Sequence, residues 1–184
     1  MPSHIGQFEE PTIEAKRGQG LTLLISDEFF VDNTFQERIA SQLRSDGHIV
    51  EIAMPARRSN GFFRLFSPRT TNQWLSKQLK IDLASAQRII SALPIDVHPK
   101  LDWNAGTSRT FLGVAVALHT KPDVLIYSSI GMDPRGVIAL HDFITSIRQD
   151  FFAVYINTGC DKTGQDTDYM SLPYSQQQWL KQNA

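Results

Sequence analysis

The chain has 184 residues, of which 41% are hydrophobic and 20% charged, and its formal net charge at pH 7 is -1. This is the composition of an ordinary globular domain. The near-zero charge argues against a nucleic-acid partner, because a phosphate-binding surface needs an excess of Lys and Arg. No apolar run approaches the roughly 20 residues that span a bilayer, so we expect no direct membrane insertion.

In chain order, the first predicted elements are a strand at residues 21–25, a helix at 34–47 and a second strand at 48–54. The strands are short apolar runs, whereas the helix follows from the four-residue spacing of Phe35, Ile39 and Leu43. Residues 55–69 contain Pro and Gly and predict a loop. Two modest helices follow, at 71–79 and 82–93, and Asp82 is placed to cap the second.

The second half of the chain continues the alternation of helices and strands. Its predicted elements are an irregular connection at 94–105, a buried helix at 107–118, a strand at 124–127, a helix from Pro134 with a stripe of Val137, Leu140, Ile144 and Ile147, a strand at 151–156, and a short helix at 176–181. This alternation predicts an α/β fold with a mostly parallel sheet and helices on both faces. We expect one domain over residues 1–184, with a small helical subdomain at about 71–93 and a polar tail at 160–184.

The cysteine content and the polar motifs give no sign of a cofactor. The single cysteine, Cys160, excludes an intrachain disulfide and is typical of a reducing compartment. The N-terminal residues lack the apolar core of a signal peptide, so we expect a cytoplasmic protein. Asp166 and Asp168 lack the glycine hinge and closing Glu of a calcium loop. We therefore predict no metal ion and no cofactor.

Residues 104–147 are the most informative part of the sequence. They contain a glycine turn, a small-residue apolar helix, a Lys-Pro-Asp turn, a buried strand, a Gly-Met-Asp-Pro turn and an amphipathic helix. This order resembles the second half of an ABC-type ATPase nucleotide-binding domain, from the signature motif through the Walker B strand to the D-loop. The signature-like positions are Ala105, Gly106, Thr107 and Ser108, and the D-loop-like positions are Gly131, Met132, Asp133 and Pro134. Alternatively, residues 104–106 form only a helix-start turn that Thr107 caps.

The resemblance implies a P-loop-NTPase-like fold whose nucleotide site has lost its chemistry. The turn after the first strand would be the Walker A turn, yet it has no glycine and carries Asp27, Glu28 and Asp32. Two like charges about 4 Å apart repel by about 4 kcal/mol at an effective dielectric of about 20, so this turn should repel triphosphate. The alternative is an acidic loop that caps the following helix. The degenerate nucleotide-site positions are Ser26, Asp32, Asn33, Thr34, Ser128, Ser129 and Gly159.

Three of these replacements change positions that the family uses for hydrolysis. Ser128 and Ser129 stand where the family has an aspartate and then a glutamate, and Gly159 stands where it has the switch histidine. Without the two carboxylates, phosphoryl transfer lacks its metal anchor and its base. We therefore assign no catalytic residue, and His119 and His141 are expected to have packing or solvent roles.

The loop at 55–69 is a candidate surface for partner docking. Arg and aromatic residues are enriched at interface hot spots, and the corresponding region of the ABC family faces the membrane-spanning partner. The candidate docking residues are Arg57, Arg58, Phe62, Phe63, Arg64 and Phe66. In the alternative interpretation the Phe side chains fold back into the core and the arginines are solvated.

These observations predict a catalytically inactive interaction, regulatory or structural subunit of a transport assembly. The turn at 106–109 is similar to the polysaccharide-export branch of the family. We expect a protein partner, which is an ATPase subunit, a membrane permease or a second copy, and a peripheral position at the inner membrane through that partner. The alternative is a small-ligand-binding protein, or an enzyme of another class, that uses the carboxyl ends of its strands.

Overall fold

The computed structural model describes residues 13–24, 33–57, 70–157 and 169–170. Its strands are β1 (Gly20–Leu24), β2 (Val50–Ile52), β3 (Val124–Ser128), β4 (Phe152–Asn157) and β5 (Tyr169–Met170). Its α-helices are α1 (Asn33–Ser45), α2 (Thr71–Leu79), α3 (Leu83–Ser91), α4 (Gly106–His119) and α5 (Pro134–Ile147). Short 3-10 turns cover Leu101–Trp103 and Arg148–Asp150.

The strands form one sheet in the order β2-β3-β4-β1-β5, and every pair in it is parallel. Val154 of β4 pairs with Leu21 of β1 on one side and with Ile126 of β3 on the other. Ile126 pairs in turn with Ile52 of the edge strand β2. This register places the carboxyl ends of β1, β3 and β4 along the same edge of the sheet.

Helices cover both faces of this sheet, which confirms the predicted α/β architecture. On one face, Ile39, Ala40 and Leu43 of α1 pack against alternate strand residues, including Leu23 and Val154. Side chains of α4 and α5 pack against the opposite face. Because both faces are covered, the central strands are apolar at successive positions instead of alternating with polar residues.

The second face carries the larger side chains. Phe111 and Val114 of α4 and Leu140 and Ile144 of α5 pack against Leu125, Tyr127, Ala153 and Tyr155. Phe111 is fully buried, and removing such a side chain typically costs about 3–5 kcal/mol. Gly113 lets α4 lie close to the chain that follows β2, since a Cβ at Gly113 would overlap the carbonyl group of Met54.

Helices α2 and α3 form a separate layer on the outer side of α4. Leu75 and Leu79 of α2 and Ala86 and Ile90 of α3 are buried with Leu112 of α4. The helix caps follow from local sequence: Thr70 and Gln73 form a capping box at α2, and Asp82 caps α3 as predicted. This layer corresponds to the predicted helical subdomain at about 71–93.

Some boundaries differ from the predicted ones. The strand predicted at 48–54 is only three residues long, because Met54 turns back to donate to the Ile52 carbonyl and Ala56 pairs with Arg109 of α4. Ala105, and not Thr107, occupies the N-cap position of α4. The two-residue strand β5 falls in the predicted polar tail and was not predicted. The helix predicted at 176–181 lies outside the described residues.

Candidate functional site

The carboxyl edge of the sheet carries the two serines that replace the expected carboxylates. Ser128 ends β3 and is buried, with 7% of its surface exposed, on the face that α1 covers. Ser129 follows it and projects to the other side, where its Oγ lies 2.6 Å from Tyr155 Oη. At a hydroxyl–hydroxyl distance this short, the two groups form one hydrogen-bonded pair.

Ser129 belongs to a polar cluster that also contains Tyr127, Tyr155 and His141. Tyr127 and Tyr155 are register partners on β3 and β4, with ring centroids 5.2 Å apart. The His141 ring, from α5, lies edge-on to Tyr155 at 4.3 Å and places Nδ1 3.4 Å from Tyr127 Oη. Burial raises the pKa of Tyr127 far above its usual range, so its phenol stays protonated and neutral. The packing role expected for His141 therefore includes polar contacts.

The signature-like and D-loop-like turns contact each other directly. A Cβ at Gly106 would overlap the carbonyl oxygen of Gly131, and one at Gly136 would overlap the Thr107 side chain. Gly131 itself has a φ of +78°, a conformation that glycine adopts readily and other residues rarely. Glycine at these positions lets the first turns of α4 and α5 approach to backbone contact.

Asp133 completes this contact between the two helix starts. One carboxylate oxygen accepts from the backbone N–H of Gly136 at 2.9 Å and caps α5, and the other accepts from Thr107 Oγ1 at 2.6 Å. The Thr107 hydroxyl, followed by the Gly136 N–H, lowers the pKa of Asp133 below its ordinary value of 3.8. Thr107 therefore does not cap α4; it ties α4 to α5.

This geometry predicts a pH dependence for Asp133→Asn. Because the folded-state pKa is lowered, the stabilisation from the carboxylate is complete above the unfolded-state pKa and is lost as pH falls through the folded-state value. The difference in unfolding free energy between wild type and Asp133→Asn should be constant from neutral pH to about pH 5 and shrink below about pH 4. Urea unfolding at several pH values measures it. Thr107→Val should weaken the dependence, and a difference that stays constant to pH 3 would contradict the assignment.

A buried asparagine immediately precedes the signature-like turn, and no sequence pattern singled it out. Asn104 Nδ2 lies within 3.3 Å of the carbonyl oxygens of His98, Lys100 and Leu101 and of Thr71 Oγ1. Asn104 Oδ1 accepts from the His98 N–H at 2.8 Å. This side chain fixes the loop before α4 to the first residue of α2.

The structure brings together only part of the predicted site. The carboxyl edge carries Ser128, Ser129, residues 105–108 and residues 131–134. The backbone of Asn33 and Thr34 lies in the first turn of α1. Arg57, within the candidate docking loop, is exposed and is the last described residue before position 70. The remaining predicted positions lie outside the described residues: Ser26, Asp32, Gly159, Arg58, Phe62, Phe63, Arg64 and Phe66.

Among the described residues, the donor groups that follow β3 do not include the free carboxylates that would hold a magnesium-bound nucleotide. Mg²⁺ prefers carboxylate oxygens together with phosphate, whereas β3 is followed by two hydroxyls, one of which is bonded to Tyr155. Asp133, the first carboxylate after β3, is already bonded to Thr107 and Gly136. Within the described residues there is no group of three or more His, Cys, Asp or Glu that could hold a metal ion. Nor do the described helices include one that is long and apolar enough to cross a membrane.

No protein-family model and no curated protein matches this chain. Among solved structures it is similar to an inward-facing metal-chelate type ABC transporter, with a TM-score of 0.54 and 10% sequence identity over 77% of this chain and 62% of the other. With cbiO1 from Clostridium perfringens, part of the ABC transporter complex cbiONQ, the TM-score is 0.46 and the identity is 13% over 79% of this chain and 69% of the other. The chain thus spans 62% of the first structure's length. The parallel sheet with helices on both faces is thus an α/β fold similar to the one found in that ABC transporter structure.

Proposed function

We propose that this chain is a catalytically inactive ABC-ATPase-like protein and serves as an interaction or regulatory subunit of a transport assembly. The observation that carries the proposal is the pair Ser128 and Ser129 at the end of β3, with the Ser129 hydroxyl bonded to Tyr155. Hydrolysis in this fold depends on carboxylates that hold Mg²⁺ and position water. Two hydroxyls supply neither function.

The partner surface of this proposal is the joined pair of turns at the carboxyl edge. Hydrogen bonds to Asp133 and the Gly106–Gly131 contact make this surface rigid, and a rigid surface loses little conformational entropy on binding. The partner is an ATPase subunit, a membrane permease or a second copy of the chain. The assembly is one for transport, with polysaccharide export as the proposed branch, and the protein is held peripherally at the cytoplasmic side of the membrane by that partner.

Assays of nucleotide binding and hydrolysis test the proposed lack of ATPase activity. Purified protein should release no inorganic phosphate from Mg-ATP and should not be stabilised by millimolar Mg-ATP in a thermal-shift assay. An intact ABC ATPase domain measured in parallel is the positive control. Stabilisation by more than about 3 kcal/mol would mean a Kd at least about 100-fold below the ATP concentration and would contradict the proposal. Phosphate release that disappears in Ser128→Ala would contradict it as well.

Affinity purification from the native cell tests the interaction role. Recovery of a membrane permease or an intact ATPase in a fixed ratio to this chain supports the role, and size-exclusion chromatography detects a second copy. A protein recovered alone and monomeric under gentle conditions would count against it.

A second candidate function is supported by the polar cluster of Ser129, Tyr155, Tyr127 and His141. In parallel α/β sheets ligands bind at the carboxyl ends of strands, and this cluster lies there with three hydroxyls and an imidazole. The chain would then be a small-ligand-binding protein or an enzyme of another class. Saturable binding from a metabolite panel, lost in Tyr155→Phe and retained in Thr110→Val, would favour this candidate over the first.

A further inference from the structure

The strand β2 forms one edge of the sheet among the described strands, where it pairs with β3 alone. Residues 49–54, which contain this strand, have the sequence IVEIAM, with one charge and neither Pro nor Gly. Short segments of this composition pair readily with strands of other molecules when they lie at an exposed edge. Ile49 at the start of the strand is 56% exposed. Contacts that occupy the outer side of β2 would oppose such pairing.

Alternate peptide groups of β2 face away from β3. The Ile49 carbonyl and the Ala53 N–H both form hydrogen bonds with β3, at 3.0 and 2.8 Å. In a parallel ladder, the peptide groups of a strand point alternately to its two neighbours. The carbonyl groups of Val50 and Ile52 therefore face the outer side of the sheet, where a further strand would bind.

Both of these outward carbonyl groups already accept a hydrogen bond from the chain itself. The Val50 carbonyl accepts from Arg44 Nη2 at 3.1 Å. The Ile52 carbonyl accepts from the Met54 N–H at 3.0 Å, in a tight turn that ends the strand. A strand added at this edge would need the same two oxygens as acceptors for its own N–H groups.

The Arg44 side chain is held in position over this edge. Arg44 lies in the last turn of α1, and its Nη1 donates to Glu37 Oε2 at 3.1 Å, two turns earlier on the same helix. One planar guanidinium thus bonds a carboxylate and the Val50 carbonyl at once, which its fork of donors allows. A further strand would have to displace this charged side chain.

We propose that Arg44 and the turn at Met54 close the outer edge of β2 and prevent a strand of a second copy from extending the sheet there. In this role α1 covers one face of the sheet and also blocks one of its edges. The inference depends neither on the nucleotide chemistry nor on the partner of the function proposed above, because it rests on the contacts of β2 alone.

The mass of Arg44→Ala in solution tests the proposal. Size-exclusion chromatography with light scattering over a range of protein concentrations should give a mass larger than that of the wild type and rising with concentration. Thioflavin T fluorescence should rise with it, because the added contacts are between strands. The control is Lys77→Ala, which removes one positive charge from an exposed position of α2 and should behave as the wild type does. Equal masses of Arg44→Ala and the wild type at every concentration would overturn the proposal.

A second substitution separates pairing at this edge from a general loss of folding. Ile49→Lys, added to Arg44→Ala, should restore the wild-type mass, because lysine at a strand edge opposes pairing. Leu83→Lys, added to Arg44→Ala, should not restore it, although Leu83 on α3 is equally exposed at 54%. Urea unfolding checks that each variant folds. Restoration by both lysine substitutions, or by neither, would show that the association does not occur through β2 and would overturn the proposal.

Discussion

Replacement of Gly106 by alanine is expected to lower the free energy of unfolding by about 3 kcal/mol, at the upper end of overpacking effects. The added Cβ would overlap the carbonyl group of Gly131, which is backbone and cannot move aside by changing a rotamer. The first turns of α4 and α5 would have to separate, which would also strain the hydrogen bond from Thr107 to Asp133. Urea unfolding measures the change.

Gly20→Ala is the matched control for this prediction. Its added Cβ would meet Arg148 Nη1 at 3.4 Å and the Ala153 carbonyl oxygen at 3.6 Å, which are contacts that a flexible side chain and a strand can accommodate. Alanine also restricts the unfolded chain more than glycine does, so the control should be neutral or slightly stabilising, by up to about 1 kcal/mol. Equal stabilities of the Gly106 and Gly20 variants would show that the two helix starts are not in backbone contact.

Asn104→Ala is expected to destabilise the protein by about 2–3 kcal/mol, because it removes a buried side chain that joins several polar groups of the loop and α2 and leaves the His98 N–H without its acceptor. Asn104 Nδ2, which has two N–H donors, lies within 3.3 Å of four acceptors, namely the Thr71 hydroxyl and the carbonyl oxygens of His98, Lys100 and Leu101, and its Oδ1 accepts from the His98 N–H. Alanine also leaves a small void where the amide was. Thermal unfolding measures the loss.

Asn72→Ala provides the comparison, since Asn72 makes one side-chain hydrogen bond, to Gln87, at the surface between α2 and α3. A surface substitution of this kind usually changes stability by less than about 0.5 kcal/mol. If the two asparagine variants lost similar stability, the cluster around Asn104 would not be the anchor of the loop. Trp103 provides a second measurement, because loosening of the loop should change the environment of the indole.

The contacts at the carboxyl edge give a structural role to the signature-like and D-loop-like residues. Gly106 and Gly131 allow two helix starts to touch, and Asp133 caps one helix while it binds Thr107 of the other. Pro134 occupies the first position of α5, where its missing N–H has no structural consequence. None of these roles requires a nucleotide. These contacts therefore serve the fold whether or not the chain hydrolyses a nucleotide.

Much of the fold could be predicted because its signals are local. The apolar runs that became β1, β3 and β4 are buried on both faces, and the spacing of Val137, Leu140 and Ile144 marks the buried stripe of α5. Asp82 and Pro134 mark helix starts through interactions within one turn. The strand β2 came out shorter than predicted, because a contact with α4 turns the chain away after Ile52.

The candidate site was predictable only in part. The position of Ser128 and Ser129 at the end of β3 can be read from the sequence alone, because strand ends follow from the apolar runs. The hydrogen bond of Ser129 cannot be predicted in this way, since its partner Tyr155 is 26 residues away on another strand. The docking role of the Arg- and Phe-rich loop at residues 55–69 remains a prediction, and its described part ends at Arg57.

By itself, the sequence determined the order of strands and helices, the burial of the central strands, the two serines at the end of β3 and the near-neutral charge. Only the tertiary structure decided that α4 and α5 meet through glycine and Asp133, that Asn104 ties its loop to Thr71, 33 residues earlier, and that Trp103 faces solvent. The physical reason is the distance along the sequence over which each kind of interaction acts. Propensity, capping and apolar period act over one or two helical turns, whereas hydrogen bonds and close contacts between distant residues exist only after the sheet has brought those residues together.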